Sequence, residues 1–569
     1  MIVDVQVFLL TNLLLSLLLD INKNLLKAET SIRRRITLKT RSLDLVGVLL
    51  FGSPKRTTVD WNLKVSLYQN QAEIPVGGRP RFFLENWNKI TDDQWVLSII
   101  QEGYKLEFIE KPPQSRIRKT LVSLKDTQIL LQEVNILLEK DAIEPVLNHE
   151  KPTGFYSTLF MVPKKNDKMR PVINLKPLNG YLKKTHFKMD TLSKVLNLVK
   201  TGDWAISLDL KDAYLHVPIF HTHRKYLRFC IQNQCYQFKV LCFGPTSAPR
   251  VFTKIVSVVA AYLRTLGIRL AVYLDDWLIV NQNKMQLLSD CENCLNLLKS
   301  LGFLVNKEKS TLIPTQTLIY LGGLFHLDQG LIYPTQERIV KLNLAIENLL
   351  TQEKASAFMF LHLLGIMASC LQMIPNARLF MRPVQLHLLS FWRPSSHNLT
   401  VKIPVTPHLK SHLIWWSSSA NTLKGQSFQF PKTSVVITTD ASKKGFGGFM
   451  NKQIFQGNWT HAQSKRHINC LEMEAVYLTM KHFLTQIKDQ AVLVRSDNTT
   501  VVQYINKQGG TKSPQLCYQV WDLWNMAIQN NIQLKAGKLN ILTDQLSRTK
   551  ILPTEWSLNS RVVQNLFQI

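Results

Sequence analysis

The run Ala271–Val280, AVYLDDWLIV, has the composition of a β-strand, yet two acids stand in its middle. Val, Leu, Ile, Tyr and Trp suit a pleated surface, whereas a buried carboxylate without a partner is strongly unfavourable. A tight bend between two strands removes the steric conflict, because it frees both acids from the core and aims them at one spot. A divalent cation removes the electrostatic conflict, since Mg²⁺ binds hard carboxylate oxygens. The pair Asp275–Asp276 therefore predicts a strand–bend–strand unit and a metal, and the metal needs a further ligand.

A second run supplies it. In WAISLDLKDAYLHVPI, Asp209 sits among alternating apolar residues near a strand end, and Asp212 follows where the chain turns towards a helix. The interval from Asp209 to Asp275 leaves room for a helix and a hairpin that return the chain to the neighbouring strand. Asp209, Asp275 and Asp276 are thus candidates to hold two Mg²⁺ ions for phosphoryl transfer. One ion would lower the pKa of an attacking hydroxyl, and the other would stabilise a leaving pyrophosphate. Taken singly each acid reads as a solvated turn residue; the two patterned runs together do not.

Charge points the same way. Lys and Arg total 69 against 40 Asp and Glu, a formal charge of +29. The excess is spread along the chain, which favours a polyanion bound through its phosphates over a membrane surface. Apolar content of 45% excludes wholesale disorder. The eight cysteines are scattered, and only Cys291 and Cys294 form a C-x-x-C pair. No second pair completes a zinc site, so this one reads as helix packing, and free thiols in a reducing compartment are expected. His221 and His223 in HTHRKYLRF read as a basic hairpin flank rather than a metal clamp. The apolar start, MIVDVQVFLLTNLLLSLLLD, lacks a basic n-region and a clear cleavage site, so an amphipathic or packing helix is expected, with no secretion and no membrane partner. Cytoplasmic or nuclear placement follows.

Four more acids occupy patterned settings after residue 430. Asp440 ends the strand SVVITTDAS, Glu472 lies on the helix-like NCLEMEAVYLTMKHFL, Asp497 ends AVLVRSDNTT, and Asp544 falls in KLNILTDQLSR at a helix start. Strand-end acids joined by a helix acid can converge on two Mg²⁺ ions, an arrangement suited to hydrolysing a phosphodiester.

The runs KMRPVINLKPLN, SLDLKDAYLHVPI, YQFKVLCFGPTSAPRVFTKI, YLDD and LGFLVNKEKSTLIPTQTLIYLGGLF resemble the ordered motifs of a retroelement reverse transcriptase. HINCLEMEAV and NILTDQLSR resemble the ribonuclease H fold. With GGRPRFFLENWNKITDDQWVL and GNWTHAQSKRHINCLEMEAV, the combination is most similar to DIRS-type retrotransposons, which move with a tyrosine recombinase. The resemblance implies an α/β (α+β) chain: a right-hand polymerase with fingers, palm and thumb, then a ribonuclease H-like α/β domain. The boundaries expected are a poorly defined segment 1–70, an aromatic-rich region 71–120, fingers and palm 121–335, a helical thumb or connection 336–430, the ribonuclease H-like domain 431–548 and a tail 549–569.

Carried over residue by residue, the resemblance makes Asp209, Asp275 and Asp276 the palm acids, with Mg²⁺ (or Mn²⁺) as two ions per site. Lys164 or Lys165, Arg170, Asp212, Ala213, Tyr214, Phe243 and Gly244 would bind the nucleotide. Tyr214 would stand under the sugar, where a ring clashes with a ribose 2′-OH, and the planar Arg170 fork would grip phosphate. Cys242 replaces the more usual proline. Lys307 or Lys309 would protonate the leaving pyrophosphate. Tyr320, Leu321, Gly322 and Gly323 would form the primer grip. Asp440, Glu472, Asp497 and Asp544 would form the nuclease site, and the histidine many relatives carry before the last acid is absent, with Leu534 near its place. The expected function is RNA-directed DNA synthesis with cleavage of the RNA strand in RNA–DNA hybrids. Partners would be an RNA template, a DNA primer, the hybrid and dNTPs, with any recombinase or capsid-like protein on a separate chain. Two alternatives stand beside it: a catalytically inactive copy that only binds nucleic acid, and an RNA-dependent RNA polymerase sharing the palm acids.

Overall fold

The computed structural model describes residues 74–120, 124–163, 169–429 and 432–537. The expected N-terminal helix, Lys164, Lys165, Asp544 and the C-terminal tail lie outside them. The described chain forms two compact units, residues 74–335 with 426–429, and residues 336–425 with 432–537. Among the described residues no helix is long and apolar enough to cross a membrane.

The first unit holds strands β1 (Lys119–Thr120), β2 (Ile143–Pro145), β3 (Leu159–Pro163), β4 (Met169–Ile173), β5 (Trp204–Asp209), β6 (Arg228–Ile231), β7 (Gln234–Phe238), β8 (Arg269–Tyr273), β9 (Asp276–Asn281), β10 (Thr311–Thr315), β11 (Thr317–Tyr320), β12 (Gly323–His326) and β13 (Leu331–Pro334). β3 and β4 make one hairpin, and β1, β6, β7 and β2 a separate sheet in that order. The sheet expected to be the palm runs β10-β5-β9-β8, all antiparallel. Trp277, Leu278, Ile279 and Val280 of β9 are all buried, so this strand is covered on both faces and reads as an unbroken apolar run. One cover is the helix Ala248–Thr265, which buries Val251, Phe252, Ile255, Val256, Val259, Ala260 and Leu263 at helical spacing.

The aromatic-rich stretch from residue 74 to about 110 is part of this core. Trp87 is fully buried and donates its indole N–H to Leu301 O at 3.0 Å. The stretch VGGR at 76–79 packs so closely that a Cβ on Gly77 would lie 2.2 Å from Asp141 O. That contact requires Gly77, and a φ of 64° favours glycine at 78.

The expectation of eight free thiols is corrected. Cys230 and Cys235 face each other across the β6–β7 ladder with Cα atoms 4.1 Å apart, and they form a disulfide. A spacing of five is uninformative until the hairpin register is known. The other six cysteines are free and buried, Cys291 and Cys294 on the helix Lys284–Ser300 among them.

The second unit begins with helices Gln336–Leu350, Ala357–Cys370, Ala377–Phe391 and Pro407–Ser417, with short strands β14 (Lys354–Ser356) and β15 (Lys402–Pro404) pairing between them. The strand β16 (Gln426–Ser427) belongs to the first unit, where it pairs with β13. Then follow β17 (Val435–Ala441), β18 (Gly445–Met450), β19 (Gln453–Asn458), β20 (Ala491–Arg495) and β21 (Gln533–Gly537). They form a mixed sheet in the order β19-β18-β17-β20-β21, antiparallel on one side and parallel on the other. Phe380 of the helical part stacks on Trp415 at 3.8 Å and meets Trp521 edge-on at 5.1 Å. Arg382 donates to Lys507 O at 3.0 Å and Gln508 O at 3.4 Å, capping the end of the helix Thr499–Asn506. The helical part and the sheet therefore pack as one body.

Candidate active sites

β8 and β9 are joined by a two-residue bend, Leu274–Asp275, with Tyr273 paired to Asp276. Leu274 is left-handed, with φ 55°. A branched residue pays roughly 1–2 kcal/mol for that conformation, so the bend is held by its surroundings. Asp276 is the direct cross-strand partner of Asp209 at the end of β5, which puts both side chains on one face of the sheet. The backbone closes around them: Leu210 N–H donates to Asp275 O at 3.0 Å, and Asn306 N–H donates to Asp209 O at 2.8 Å.

The electrostatics are those of partly buried acids crowded together. Burial first, then the charges of Asp275 and Asp209, push the Asp276 carboxyl up to about 6. Burial and then Asp209 also raise Asp275, against opposing backbone hydrogen bonding and Lys309. A nearby contrast is instructive. Asp203, on the loop that enters β5, is fully buried, and it takes two guanidinium hydrogen bonds from Arg269 at 2.6 and 3.0 Å and another from Gln282 at 2.8 Å. Each carboxylate this unit buries deeply is given partners: an arginine for Asp203, and the Asn281 and Gln286 amides for Asp290, at 2.8 and 2.9 Å. Around the palm acids the described cation is Lys309, 3.9 Å from Asp209 and 70% exposed, too screened to neutralise three charges. Hard oxygens gathered without neutralisation fit a divalent cation.

The residues expected around the nucleotide are placed as follows. Asp212 is left-handed and opens the 3-10 turn Ala213–His216; its carboxylate pairs with Lys140 at 2.8 Å. Tyr214 is buried against Phe252 and Phe243, with ring centroids 5.5 and 4.8 Å apart. Burial, then Asp275, raises its phenol to about 12, so it stays neutral. Phe243 is 59% exposed, and Gly244 has φ 129° and lies against Ile173 O and Leu175. Arg170 lies in β4, opposite Val162. His221 and His223 lie in the 3-10 turn His221–Tyr226 among aromatic rings.

The β11–β12 hairpin turns through Leu321 and Gly322, both at positive φ (48° and 74°), as a two-residue hairpin of this hand requires. Gly323 could not carry a side chain without striking Ile332, 2.6 Å from its Cβ position. The hairpin is tied to the acids, since Tyr320 donates its hydroxyl to Asp276 O at 3.0 Å.

The second acidic set is tighter. Asp440 near the end of β17, Glu472 on the helix Ile468–His482 and Asp497, two residues beyond β20, bring ligand oxygens within 4.8 Å of one another. Among the described residues they alone form so close a trio; the palm acids are less tightly gathered. Glu472 is 4% exposed in the apolar face of its helix, and its Oε2 is buried with no hydrogen-bond partner. Burial, then Asp440 and Asp497, lift it to about 7. An orphaned buried carboxylate oxygen facing two further acids is a donor set for a hard cation. Leu534 lies buried in β21, paired with Val492, so this position is core.

Several positioning groups escape a reading by motif. Ser310 Oγ accepts from Asp209 N–H at 3.0 Å and donates to Asn306 O at 2.6 Å, which fixes the acid's backbone. Asn179 holds the loop after Phe243 from both sides, donating to Gly244 O and accepting from Thr246 N–H, each at 2.9 Å. The only local hint is that Asn179 closes KPLN, one of the quoted motifs.

Residues 162–325 match the reverse transcriptase (RNA-dependent DNA polymerase) family. The chain is 23% identical over 476 residues to the enzymatic polyprotein of Carnation etched ring virus, covering 80% of this chain and 67% of that protein. It is 21% identical over 479 residues to the enzymatic polyprotein of Figwort mosaic virus, covering 81% and 66%. It is 20% identical over 492 residues to the Transposon Tf2-3 polyprotein of Schizosaccharomyces pombe, covering 82% and 34%. The chain thus spans about two thirds of the viral relatives' length and about a third of the transposon relative's. The solved structure of a foamy viral protease-reverse transcriptase in complex with double-stranded DNA shares the fold, with a TM-score of 0.50 at 16% identity over 84% of this chain and 85% of that one. The polymerase-like α/β fold expected from the sequence is the fold of this chain, whose residues 162–325 match the reverse transcriptase family and which is similar to retroelement and viral polyproteins.

Proposed function

With a reverse transcriptase domain as the premise, we propose that this protein copies a retroelement RNA into DNA and cleaves the RNA strand of the resulting hybrid. One observation carries the reading: Asp209, Asp275 and Asp276 share one end of the palm sheet without the arginine that the same fold gives buried Asp203. Asp209, Asp275 and Asp276 would hold Mg²⁺ (or Mn²⁺) there, and Asp440, Glu472 and Asp497, with Asp544 from outside the described residues, would hold it at the nuclease site. When bound, the cation supplies charge neutralisation at phosphate oxygens and a more acidic attacking hydroxyl or water.

The chain's own groups do the rest. Tyr214 presents a neutral ring edge under the sugar and excludes a 2′-OH. Arg170, with Lys164 or Lys165, would take the triphosphate, beside Asp212, Ala213, Phe243 and Gly244. Lys309, whose ammonium lies 3.9 Å from Asp209, or Lys307 would donate the proton to pyrophosphate. The Tyr320 hydroxyl ties the primer-grip hairpin to the acid doublet, so the primer end and the acids would keep one spacing. The sequence pieces GGRPRFFLENWNKITDDQWVL and YLDDWLIV support a DIRS-type element. The chain's net charge of +29 supports RNA template, DNA primer and hybrid as partners. Primer extension on poly(rA)·oligo(dT) with Mg²⁺ or Mn²⁺ tests the reading; metal-dependent dTMP incorporation supports it, and none with either ion contradicts it.

A further inference from the structure

The segment between Asp209 and His216 is fastened at two points to one distant residue, Leu304. At one end Lys211 N–H donates to Leu304 O at 2.8 Å. At the other, Leu304 N–H donates to the His216 ring at Nε2, 3.2 Å away. The six residues Lys211–His216 are thus closed onto Leu304 from both sides, and His216 makes the second closure.

We infer that His216 is a positioning residue that sets the location of Tyr214, and through it the sugar selectivity of the nucleotide site. This rests on the polymerase reading above. His216 is fully buried, and its other nitrogen, Nδ1, lies 3.2 Å from Ala213 O. A carbonyl only accepts and an amide N–H only donates, so Nδ1 carries the hydrogen and Nε2 is bare. The ring packs on Phe303 at 5.3 Å, which in turn meets Trp87 at 5.9 Å and Phe252 at 6.4 Å. Phe252 is also one of the two rings that hold Tyr214.

The turn needs such fastening. Ala213–His216 is a single 3-10 turn that begins at left-handed Asp212 without a side-chain cap. Hydrogen bonds in 3-10 turns are poorly aligned and short runs are marginal, so lateral ties decide where the turn sits. Besides ring packing and the Lys140–Asp212 ion pair at its entry, two hold the turn itself: Gly78 N–H to Leu215 O at 2.9 Å, and His216 to Leu304. The first comes from the stretch before the fingers, outside the matched residues 162–325. Buried Arg79 stands on that stretch, and its charge, after burial itself, disfavours a proton on His216, while Asp212 opposes this. Loss of the Leu304 tie leaves a buried N–H without an acceptor and frees the turn to move by enough to admit a 2′-OH.

The test is single-nucleotide incorporation with dNTP and rNTP, measuring kcat and KM separately for wild type, His216→Phe and His216→Gln. Phe keeps the ring on Phe303 but offers Leu304 nothing; Gln offers a carbonyl oxygen. The expected result is a roughly tenfold fall in dNTP-over-rNTP preference for His216→Phe, the factor equivalent to about 1.4 kcal/mol, with preference restored in His216→Gln. A purely structural role would lower kcat for both nucleotides together and leave the preference and KM untouched, and that result overturns the inference. Equal loss in both variants also overturns it. A wild type that incorporates nothing, or shows no preference, contradicts the polymerase reading instead. One measurement needs neither activity nor a folded variant: ¹⁵N shifts of histidine-labelled wild type. A hydrogen on Nδ1 and a bare Nε2 at His216 support the inference, and the opposite tautomer overturns it.

Discussion

Asp209 and Asp276 are direct partners across the β5–β9 ladder, and the bend that presents Asp275 returns its carbonyl to Leu210 N–H at 3.0 Å. Two strands far apart in sequence are therefore registered by the acids' own residues. A one-residue slip of this ladder would turn Asp276 to the opposite face. The acids at this end of the palm sheet and the register of the sheet are one feature.

The two acidic sets should separate by mutation. Asp275→Asn is expected to abolish primer extension and leave hybrid cleavage, and Asp497→Asn to do the reverse. Both activities are read from one preparation on labelled primer–template and RNA–DNA hybrid. A variant that retains its own activity removes the role assigned to that acid.

Sugar selection should reside in the Tyr214 ring. Tyr214→Ala is expected to lower the dNTP-over-rNTP preference by at least tenfold while dNTP incorporation persists, checked by competing the two nucleotides on one template. Unchanged preference would count against the gate.

The tie between Tyr320 and Asp276 gives a milder prediction. Tyr320→Phe deletes one hydroxyl donor to a partly buried carbonyl and should cost about 1 kcal/mol of stability. Extension should fall through weaker use of the primer, measured as KM for primer–template, with hybrid cleavage unaffected.

How far the site can be read from sequence depends on the range of the interaction. The interruption at the acid doublet, the strand ending at Asp209 and the helix carrying Glu472 are local patterns, and they are legible in the residues, although the bend is Leu274–Asp275 and Asp276 already opens β9. Long-range pairs are not. Asp203 meets Arg269, Asp209 N–H meets Ser310, and His216 meets Leu304 only after the sheet has formed. The Cys230–Cys235 disulfide hides for the same reason, because it needs the β6–β7 register. The motifs also left Lys307 and Lys309 undivided, since the choice depends on which way a loop faces Asp209.

The Asp203–Arg269 pair carries a stability prediction. Arg269→Ala strands a fully buried carboxylate and should cost about 3–5 kcal/mol, read by denaturant unfolding of the purified protein. Asp203→Asn combined with Arg269→Ala should recover part of that loss, because no charge is left behind.

The pH dependence of the metal-free protein follows from Glu472. Its carboxyl, normally near 4.5, is raised to about 7, so the folded protein holds a proton that the unfolded chain gives up. That contribution to stability is full below about pH 4.5 and is lost as pH rises through about 7. Melting with a chelator present should therefore show a falling component across this window, of about 1–3 kcal/mol, absent in Glu472→Gln. Added Mg²⁺ should reverse its sign by favouring the ionised form.

The most direct test of the central claim is diffraction from crystals soaked in Mn²⁺ with primer–template, collected at the manganese edge. An anomalous peak coordinated jointly by Asp209 and Asp275 is the predicted result. Full occupancy at the nuclease acids with no peak between Asp209 and Asp275, and Asp209 turned onto Lys309 instead, would contradict it.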